Sequence, residues 1–238
     1  MKLNNIKPNF VFDSDTETEV IHLHYDDIAN GLFYFKYRYL KCDFNGKEIK
    51  DSDDYIRTKS IWYIDFVTKT KVEVIPFGEF DINEARKMGN YLYFTKITDM
   101  DNDGLLTEDY YSGEIYRINL KSFQTEYCCN IGPYNFHGFE MATERYIVFR
   151  SEDQIPDTSE IIFIDLKEKK KAVFTSTWDI EELDYNFIFD NEQNPIFVVS
   201  KKFVSEGAMG SEENKLMCYE WECFLNQLKW YELKYHVD

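Results

Sequence analysis

The residues with the clearest chemical potential lie in the segment "DMDNDGLLTEDY", which spans residues 99–110. Its first acidic residues stand at alternate positions and a glycine follows the third, as in loops that wrap one Ca²⁺ ion with carboxylate and carbonyl oxygens. The glycine allows the sharp turn that brings oxygens from both halves of the loop together. The spacing predicts a calcium site with these ligands: Asp99, Asp101, Asp103, the backbone carbonyl of Leu105, and Asp109.

One position of this calcium-like loop departs from the usual pattern. The position where a bidentate carboxylate is expected holds Tyr110, and Asp109 stands one residue before it. We expect a structural Ca²⁺ ion that orders a long connection between strands, because nothing in the sequence couples the loop to a moving element. The alternative is an acidic, solvated loop that binds no cation.

A second set of metal ligands is conceivable near the start of the chain. His22 and His24 alternate along a predicted strand, and Asp26 continues the same face. Two imidazoles and a carboxylate can bind a transition metal. The chain has only four histidines, however, and we favour the simpler interpretation that these are polar residues of an inner strand.

No pattern in the sequence is typical of a catalytic centre. It contains neither a G-x-S-x-G nucleophile elbow nor a glycine-rich phosphate-binding loop. The five cysteines include no C-x-x-C pair, so they predict neither a zinc site nor a disulfide framework. We therefore predict a protein that is not an enzyme, with the structural Ca²⁺ ion as its cofactor.

Four similar segments supply the framework that would position the calcium-like loop. In each, a five-residue strand ends in Asp65, Asn119, Asp165 or Glu220, and a large apolar residue, a polar turn and another strand follow. The strands that precede them are short and rich in aromatic and β-branched residues, which favours buried β-structure. The pattern recurs about every 50 residues, a spacing typical of a β-propeller blade of four antiparallel strands.

The pattern divides the chain into four repeats of one predicted domain, 1–238. The repeats span residues 19–76, 77–130, 135–175 and 184–233, with 1–18 and 234–238 as closing segments or tails. We predict an all-β fold, a small β-propeller of four blades with four antiparallel strands each; a partial fifth blade and an open array are the alternatives. Residues 9–14 could pair with 231–237 and close the ring. Short helices are expected only at 81–88 and 178–184.

Residues 19–233 resemble bacterial propeller repeats in which a strand ends in I-D-L and a lysine-rich turn follows, as in "EIIFIDLKEKKKAVFT" at 160–175. The calcium-like loop resembles the D-x-D-x-D-G insertions of some propeller blades, which link strands instead of flanking helices. The resemblance implies that the loop joins the second and third strands of the second repeat.

The balance of charge restricts the partners that the chain can bind. Its net charge is −17, from 44 acidic and 27 basic side chains. Such a balance repels nucleic acids and anionic lipids, and it favours cations or a basic protein partner. The first residues lack the apolar core of a signal peptide, and no run reaches the about 20 apolar residues of a membrane span. We expect a cytoplasmic protein.

The connections between the second and third strands of the repeats are rich in acidic residues. Besides the calcium-like loop, they are residues 41–60, 151–160 and 201–214. Because loops on a rigid scaffold commonly carry binding residues, we predict a non-enzymatic protein that recognises a basic protein partner. In size and acidity the chain resembles immunity proteins that neutralise bacterial toxins. The alternatives are a calcium-stabilised propeller that binds sugars or peptides, and a metal-dependent hydrolase or lyase.

Overall fold

The computed structural model is all-β in the part of the chain that it describes, as predicted. The described residues are 20–28, 31–43, 45–48, 56–98, 113–131, 136–152, 158–177, 183–190, 194–204 and 212–233. In these ranges sixteen strands form four antiparallel sheets, and there is one short helix. The chain divides into two compact units, an N-terminal unit (Met1–Tyr127) and a C-terminal unit (Cys128–Asp238).

The first eight strands form two four-stranded sheets. The strands are β1 (Val20–Ile28), β2 (Gly31–Leu40), β3 (Ile56–Asp65), β4 (Thr70–Ile75), β5 (Asp81–Met88), β6 (Tyr91–Ile97), β7 (Gly113–Asn119) and β8 (Thr125–Asn130). Sheet 1 has the order β1-β2-β3-β4 and sheet 2 the order β5-β6-β7-β8. Each sheet is therefore a simple meander in which consecutive strands pair.

The remaining elements form two further sheets and one helix. They are β9 (Phe136–Ala142), β10 (Tyr146–Glu152), β11 (Thr158–Asp165), β12 (Lys170–Thr177), β13 (Leu183–Phe189), β14 (Pro195–Val204), β15 (Glu212–Glu220), α1 (Trp221–Leu225) and β16 (Tyr231–Glu232). Sheet 3 has the order β16-β12-β11-β10-β9, and sheet 4 has the order β13-β14-β15. No helix among the described residues is long and apolar enough to cross a membrane.

The core of the N-terminal unit lies between sheets 1 and 2. Side chains at alternate positions of a strand point to the same face, and one such face of each sheet is apolar. The buried residues of this core are Phe33, Phe35, Ile61, Tyr63, Ile75, Ile82, Ala85, Leu92, Phe94 and Ile118. Each sheet thus covers an apolar face that the other would expose to water. Burial of apolar surface is the main favourable contribution to folding.

The core of the C-terminal unit combines sheets 3 and 4 with the helix. Its buried residues are Met141, Tyr146, Val148, Ile161, Phe163, Ala172, Phe187, Phe197, Trp221, Phe224 and Leu225. Phe224 of α1 lies at the centre of this cluster, with its ring centroid 4.5 Å from that of Phe197 and 5.5 Å from that of Phe163. The helix is therefore part of the core.

The β3–β4, β7–β8 and β11–β12 hairpins share one side-chain arrangement. Asp65, Asn119 and Asp165 each accept, through Oδ1, hydrogen bonds from the backbone N–H groups two and three residues further on, at 2.7–3.2 Å. This is the Asx turn that these short side chains favour. It gives a physical reason for the recurrence of an acidic or amide residue at this position.

The same hairpins contain a residue in the left-handed conformation. Lys69, Phe123 and Lys169 have φ angles of 58°, 56° and 52°. A non-glycine residue in this region costs about 1–2 kcal/mol. Lys69 tolerates the cost at the surface, whereas Phe123 places its ring 4.9 Å from the ring of Tyr63 and 6.1 Å from that of Phe33.

We predict opposite effects for glycine at two of these positions. Lys69→Gly should raise the free energy of unfolding by about 0.5–1 kcal/mol, because glycine adopts a positive φ without strain. Phe123→Gly should lower it by about 2–3 kcal/mol, because the lost aromatic packing outweighs the relief of backbone strain. Urea denaturation measures both variants. Destabilisation by Lys69→Gly would contradict the assignment of the turn.

Asp165 also accepts hydrogen bonds from Arg145. The guanidinium donates to both carboxylate oxygens, with Nη2 2.7 Å from Oδ2 and Nε 3.3 Å from Oδ1. Burial opposes ionisation of Asp165, but the hydrogen bonds from Arg145 and from the N–H groups of Glu168 and Lys167 outweigh it. They hold the pKa of Asp165 below its usual value of 3.8.

The lowered pKa predicts an acid-sensitive contribution to stability. The carboxylate of Asp165 stabilises the fold at pH values above 3.8, and this contribution is lost as the pH falls through the lower folded-state pKa. Asp165→Asn keeps the acceptor of the Asx turn but removes the charge. The variant should be less stable at pH 7 and should lose less stability than the wild type between about pH 4 and pH 2. Parallel stability curves in that range would refute the prediction.

The predicted helix at 81–88 is wrong, since these residues form strand β5. The segment "DINEARKM" is rich in helix formers, but Ile82 and Ala85 both pack into the core opposite sheet 1. A register shift in the pairing with β6 lies between them. The extra residue of a bulge changes the alternation of a strand, so a strand here carries apolar residues at helix-like spacing. Of the other predicted helix, 178–184, residues 178–182 lie outside the described residues, and residues 183 and 184 belong to strand β13.

The fourth repeat differs from the predicted arrangement after Glu220. The expected turn and fourth strand are replaced by α1, and β16 pairs with β12 of sheet 3 through Lys170↔Glu232 and Lys171↔Tyr231. Glu220 stands where the other repeats have Asp or Asn, but its longer side chain makes no cap hydrogen bond to the backbone. Sheet 4 therefore has three described strands, and sheet 3 has five. Residues 9–14, the expected partner of 231–237, lie outside the described residues.

Candidate functional site

A buried ion pair joins sheets 1 and 2 within the N-terminal unit. Lys59 of β3 places Nζ 3.4 Å from Oδ2 of Asp81, the first residue of β5. The ammonium group also donates to the carbonyl of Ile82. The two charged side chains are only 5% and 12% exposed. Such a pair is retained only where each charge keeps a partner, because the desolvation of an isolated charge is costly.

The pattern of β3 explains why this lysine is buried. Lys59, Ile61 and Tyr63 alternate on one face of β3, and the last two belong to the core. Lys59 continues that apolar row, so its aliphatic stem lies among ring side chains. Its Nζ is 5.6 Å from the ring centroid of Tyr37 and 6.0 Å from that of Phe35.

A second polar group lies next to the ion pair in sheet 2. Lys96 pairs with Ile82 on one side and with Glu114 on the other. Its Nζ lies 4.4 Å from the ring centroid of Phe80 and 4.6 Å from that of Tyr116. Burial lowers the pKa of Lys96, and the charge of Glu114 partly opposes that shift. We call Lys59, Asp81, Lys96, Glu114 and Tyr116 the loop-end cluster.

The tyrosine of the loop-end cluster is held in its neutral form. The Tyr116 hydroxyl donates to Oε2 of Glu114 at 2.7 Å. Burial first, then this hydrogen bond and the charge of Glu114, raise the pKa of Tyr116 to about 12. The hydroxyl therefore stays protonated at neutral pH and acts as a hydrogen-bond donor. Both residues lie on β7, so this hydrogen bond orders two side chains of one strand.

The loop-end cluster lies where the calcium-like loop leaves the sheet. Strand β6 ends at Ile97 and β7 begins at Gly113, and these two residues pair with each other. The predicted connection between the second and third strands of the repeat is confirmed. The predicted calcium ligands Asp99, Asp101, Asp103, Leu105 and Asp109 all lie outside the described residues, so the calcium site stays a prediction.

The other loops predicted for binding occupy the same topological place. Second and third strands are joined between β2 and β3, between β10 and β11, and between β14 and β15. The stems are paired up to Leu40↔Ile56, Glu152↔Ser159 and Val204↔Glu212. Each connection therefore starts and ends at neighbouring points of a rigid sheet. Residues 153–157 and 205–211 lie outside the described part of the chain, whereas the β2–β3 connection is described at 41–43 and 45–48, where Cys42 pairs with Glu48 in an isolated bridge.

The residues considered for a histidine metal site, His22, His24 and Asp26, lie in β1. His22 pairs with Phe35, but the register of β1 against β2 shifts between Leu23 and Tyr25, at His24. Across the residues that the structure describes, no three His, Cys, Asp or Glu side chains gather in a way that could hold a metal ion.

The buried lysines were not singled out from the sequence. Lys36 is 2% exposed and its Nζ lies 4.5 Å from the ring centroid of Trp62; Lys59 is 4% exposed. A signal was present, because both lysines interrupt strands of aromatic and β-branched residues, "LFYFKYRYL" and "IRTKSIWYID". Lysine in such a strand indicates either an exposed edge or a charge with a buried partner.

Among known proteins, similarity is found with solved structures. No protein-family profile matches the chain, and no curated protein matches it. Among solved structures it is similar to the β-propeller domain of the trilobed protease from Pyrococcus furiosus, which is described as having an open velcro topology. The TM-score is 0.42 and the identity 9%, over 91% of this chain and 72% of that one.

Proposed function

We propose that the chain is a non-catalytic binding protein that recognises a basic protein partner through the connections between the second and third strands of its sheets. The observation that carries this proposal is the combination of a strongly acidic connection with a rigid stem. Segment 98–112 contains five acidic residues and no basic one. It leaves sheet 2 from paired residues beside the loop-end cluster.

The physical argument concerns both charge and order. An acidic patch raises the rate of encounter with a basic protein and disfavours acidic competitors. A loop that is anchored at both ends loses less entropy on binding than a free segment does. The buried Lys59–Asp81 pair ties the start of β5 to sheet 1 near this stem, which supports a scaffold that holds its loops in place.

The finer part of the proposal concerns the biological role. A cytoplasmic protein of this size and acidity could neutralise a basic, nuclease-type toxin by covering its nucleic-acid-binding surface. The partner would then carry a positively charged patch, which the acidic connections match in sign. Binding alone is sufficient for such a role.

Capture from a lysate of the source organism tests this function. The bait is the wild-type chain, and the matched variant neutralises segment 98–112 (Asp99→Asn, Asp101→Asn, Asp103→Asn, Glu108→Gln, Asp109→Asn). A control with the same change in net charge carries Gln at five exposed positions elsewhere, Glu73, Glu126, Glu144, Glu168 and Glu232. We expect the wild type and the control to retain a basic protein that the loop variant loses, with binding that weakens as salt increases. Equal retention by all three baits, or retention of no basic protein, would refute the proposal.

The structural calcium ion is proposed as part of the same loop. Ligation by Asp99, Asp101, Asp103, Leu105 and Asp109 would stabilise the folded chain by about 2.7 kcal/mol at a Ca²⁺ concentration about 100 times the Kd. We predict that millimolar Ca²⁺ raises the melting temperature of the wild type, and that Asp101→Asn/Asp103→Asn abolishes the shift. An unchanged melting temperature of the wild type would contradict the calcium site.

A further inference from the structure

The topology of the fourth repeat leaves β15 at the edge of sheet 4. β15 pairs with β14 along its whole length, from Val204↔Glu212 to Ile196↔Glu220. No described strand lies on its other side, because the chain turns into α1 at Trp221 and its next strand joins β12 in sheet 3. An edge strand presents a row of backbone N–H and C=O groups to which another strand can pair.

The two faces of β15 differ. Met217 and Tyr219 point towards the core of the C-terminal unit and pack against it. The alternate residues Leu216, Cys218 and Glu220 are exposed, and Leu216 is 73% exposed. Natural edge strands are usually protected by charges, prolines or bulges. The charged residues of β15 are Glu212, Glu213, Lys215 and Glu220, and they flank its centre. That centre pairs with β14 without a register shift and carries an exposed leucine and an exposed cysteine.

Charge indicates what kind of strand fits this edge. The acidic residues of the C-terminal unit outnumber the basic ones by about two to one, and Glu212, Glu213, Glu220 and Glu222 lie in or next to β15. Like charges placed opposite each other on paired strands are destabilising, so a second copy of this chain is disfavoured. A basic strand is favoured on the same ground.

We propose that the β15 edge is a strand-addition site for an extended basic segment of the partner. This proposal rests on the proposed function and adds the mode of binding. Backbone hydrogen bonds to β15 supply the affinity, and apolar side chains of the segment, at alternate positions, rest beside Leu216. A basic side chain near the end of the segment, on the same face as those apolar side chains, pairs with Glu220.

The first test uses a defined probe. The probe is a nine-residue peptide, the length of β15, with lysine at positions 1, 2, 8 and 9, valine at positions 3, 5 and 7, and threonine at positions 4 and 6. By NMR-detected hydrogen exchange, the amides of β15 that do not bond to β14 should exchange rapidly in the free protein and slowly with the peptide. A peptide N-methylated at alternate residues, which cannot complete the ladder, should bind at least about tenfold more weakly. Equal binding of the two peptides overturns the proposal.

Substitutions locate the binding. Leu216→Lys and Cys218→Lys place positive charges on an exposed face, and we expect each to weaken peptide binding at least about tenfold. The control Val67→Lys changes a residue of similar exposure, 70%, in a turn of the N-terminal unit and should leave binding unchanged. Protection of all β15 amides in the free protein overturns the proposal. Protection that increases with protein concentration then identifies a second copy, and protection independent of concentration identifies another segment of the chain.

The captured partner separates this inference from the proposed function. A basic partner that is lost with the neutralised 98–112 segment but bound normally by Leu216→Lys would leave the function in place and overturn strand addition. If the wild type captures no basic partner, the proposed function is refuted. Strand addition is then also refuted as the mode of partner binding, even if the peptide binds to β15. Loss of the partner with both variants supports both proposals.

Discussion

Asp81→Ala should lower the free energy of unfolding by about 3–5 kcal/mol. The substitution removes the carboxylate that lies 3.4 Å from Lys59 Nζ and leaves the ammonium group in a site where its side chain is only 5% exposed. A buried charge without its ion-pair partner has lost its hydration without an equal compensating interaction. The carbonyl of Ile82 and the rings of Phe35 and Tyr37 offset only part of that loss.

Two controls make this result specific to the buried pair. The double variant Lys59→Met/Asp81→Leu replaces both charges by apolar groups and should be within about 1 kcal/mol of the wild type, or more stable. Glu126→Ala breaks the Arg117–Glu126 pair, whose glutamate side chain is 45% exposed, and should cost less than about 1 kcal/mol. Denaturant unfolding measures all three. A cost for Asp81→Ala as small as that of Glu126→Ala would contradict the buried pair.

Phe224→Ala should lower the free energy of unfolding of the C-terminal unit by about 3–5 kcal/mol. The ring is 6% exposed and contacts the aromatic side chains of sheets 3 and 4, with the closest centroid, that of Phe197, at 4.5 Å. Removing it opens a cavity that the surrounding rigid strands cannot fill.

The matched control for Phe224→Ala lies one residue earlier in the same helix. Cys223 is exposed, and its Sγ lies 3.8 Å from Oε2 of Glu220. Cys223→Ala should change stability by less than about 0.5 kcal/mol. If α1 were a loosely attached surface turn, the two variants would have similar and small effects. Amide exchange in β10, β11 and β14 reports on the C-terminal unit directly.

The strands could be predicted because their pattern has a simple physical cause. Runs such as "LFYFK" and "YIVFR" alternate or cluster aromatic and β-branched residues, and both lie in strands, β2 and β10. The recurrence of Asp65, Asn119 and Asp165 was also informative, because one side-chain length suits the Asx turn that all three make.

The errors arose where a longer-range contact decides the local structure. Helix formers at 81–88 adopt β5, because pairing with β6 and packing against sheet 1 outweigh intrinsic propensity. Glu220 resembles the aspartates of the other repeats in charge, but one additional methylene group does not fit the same turn, and Trp221 begins a helix instead. The partner of Lys59 is 22 residues further along the chain, and no local pattern indicates it.

The central claim is that the connections between second and third strands carry recognition. Amide hydrogen exchange of the chain, free and bound to its captured basic partner, tests it most directly. The account predicts slower exchange on binding in 98–112 and in β15, with the turns at 66–69, 120–123 and 166–169 unchanged. Protection of those turns, at the opposite ends of the strands, with 98–112 unchanged, would contradict it.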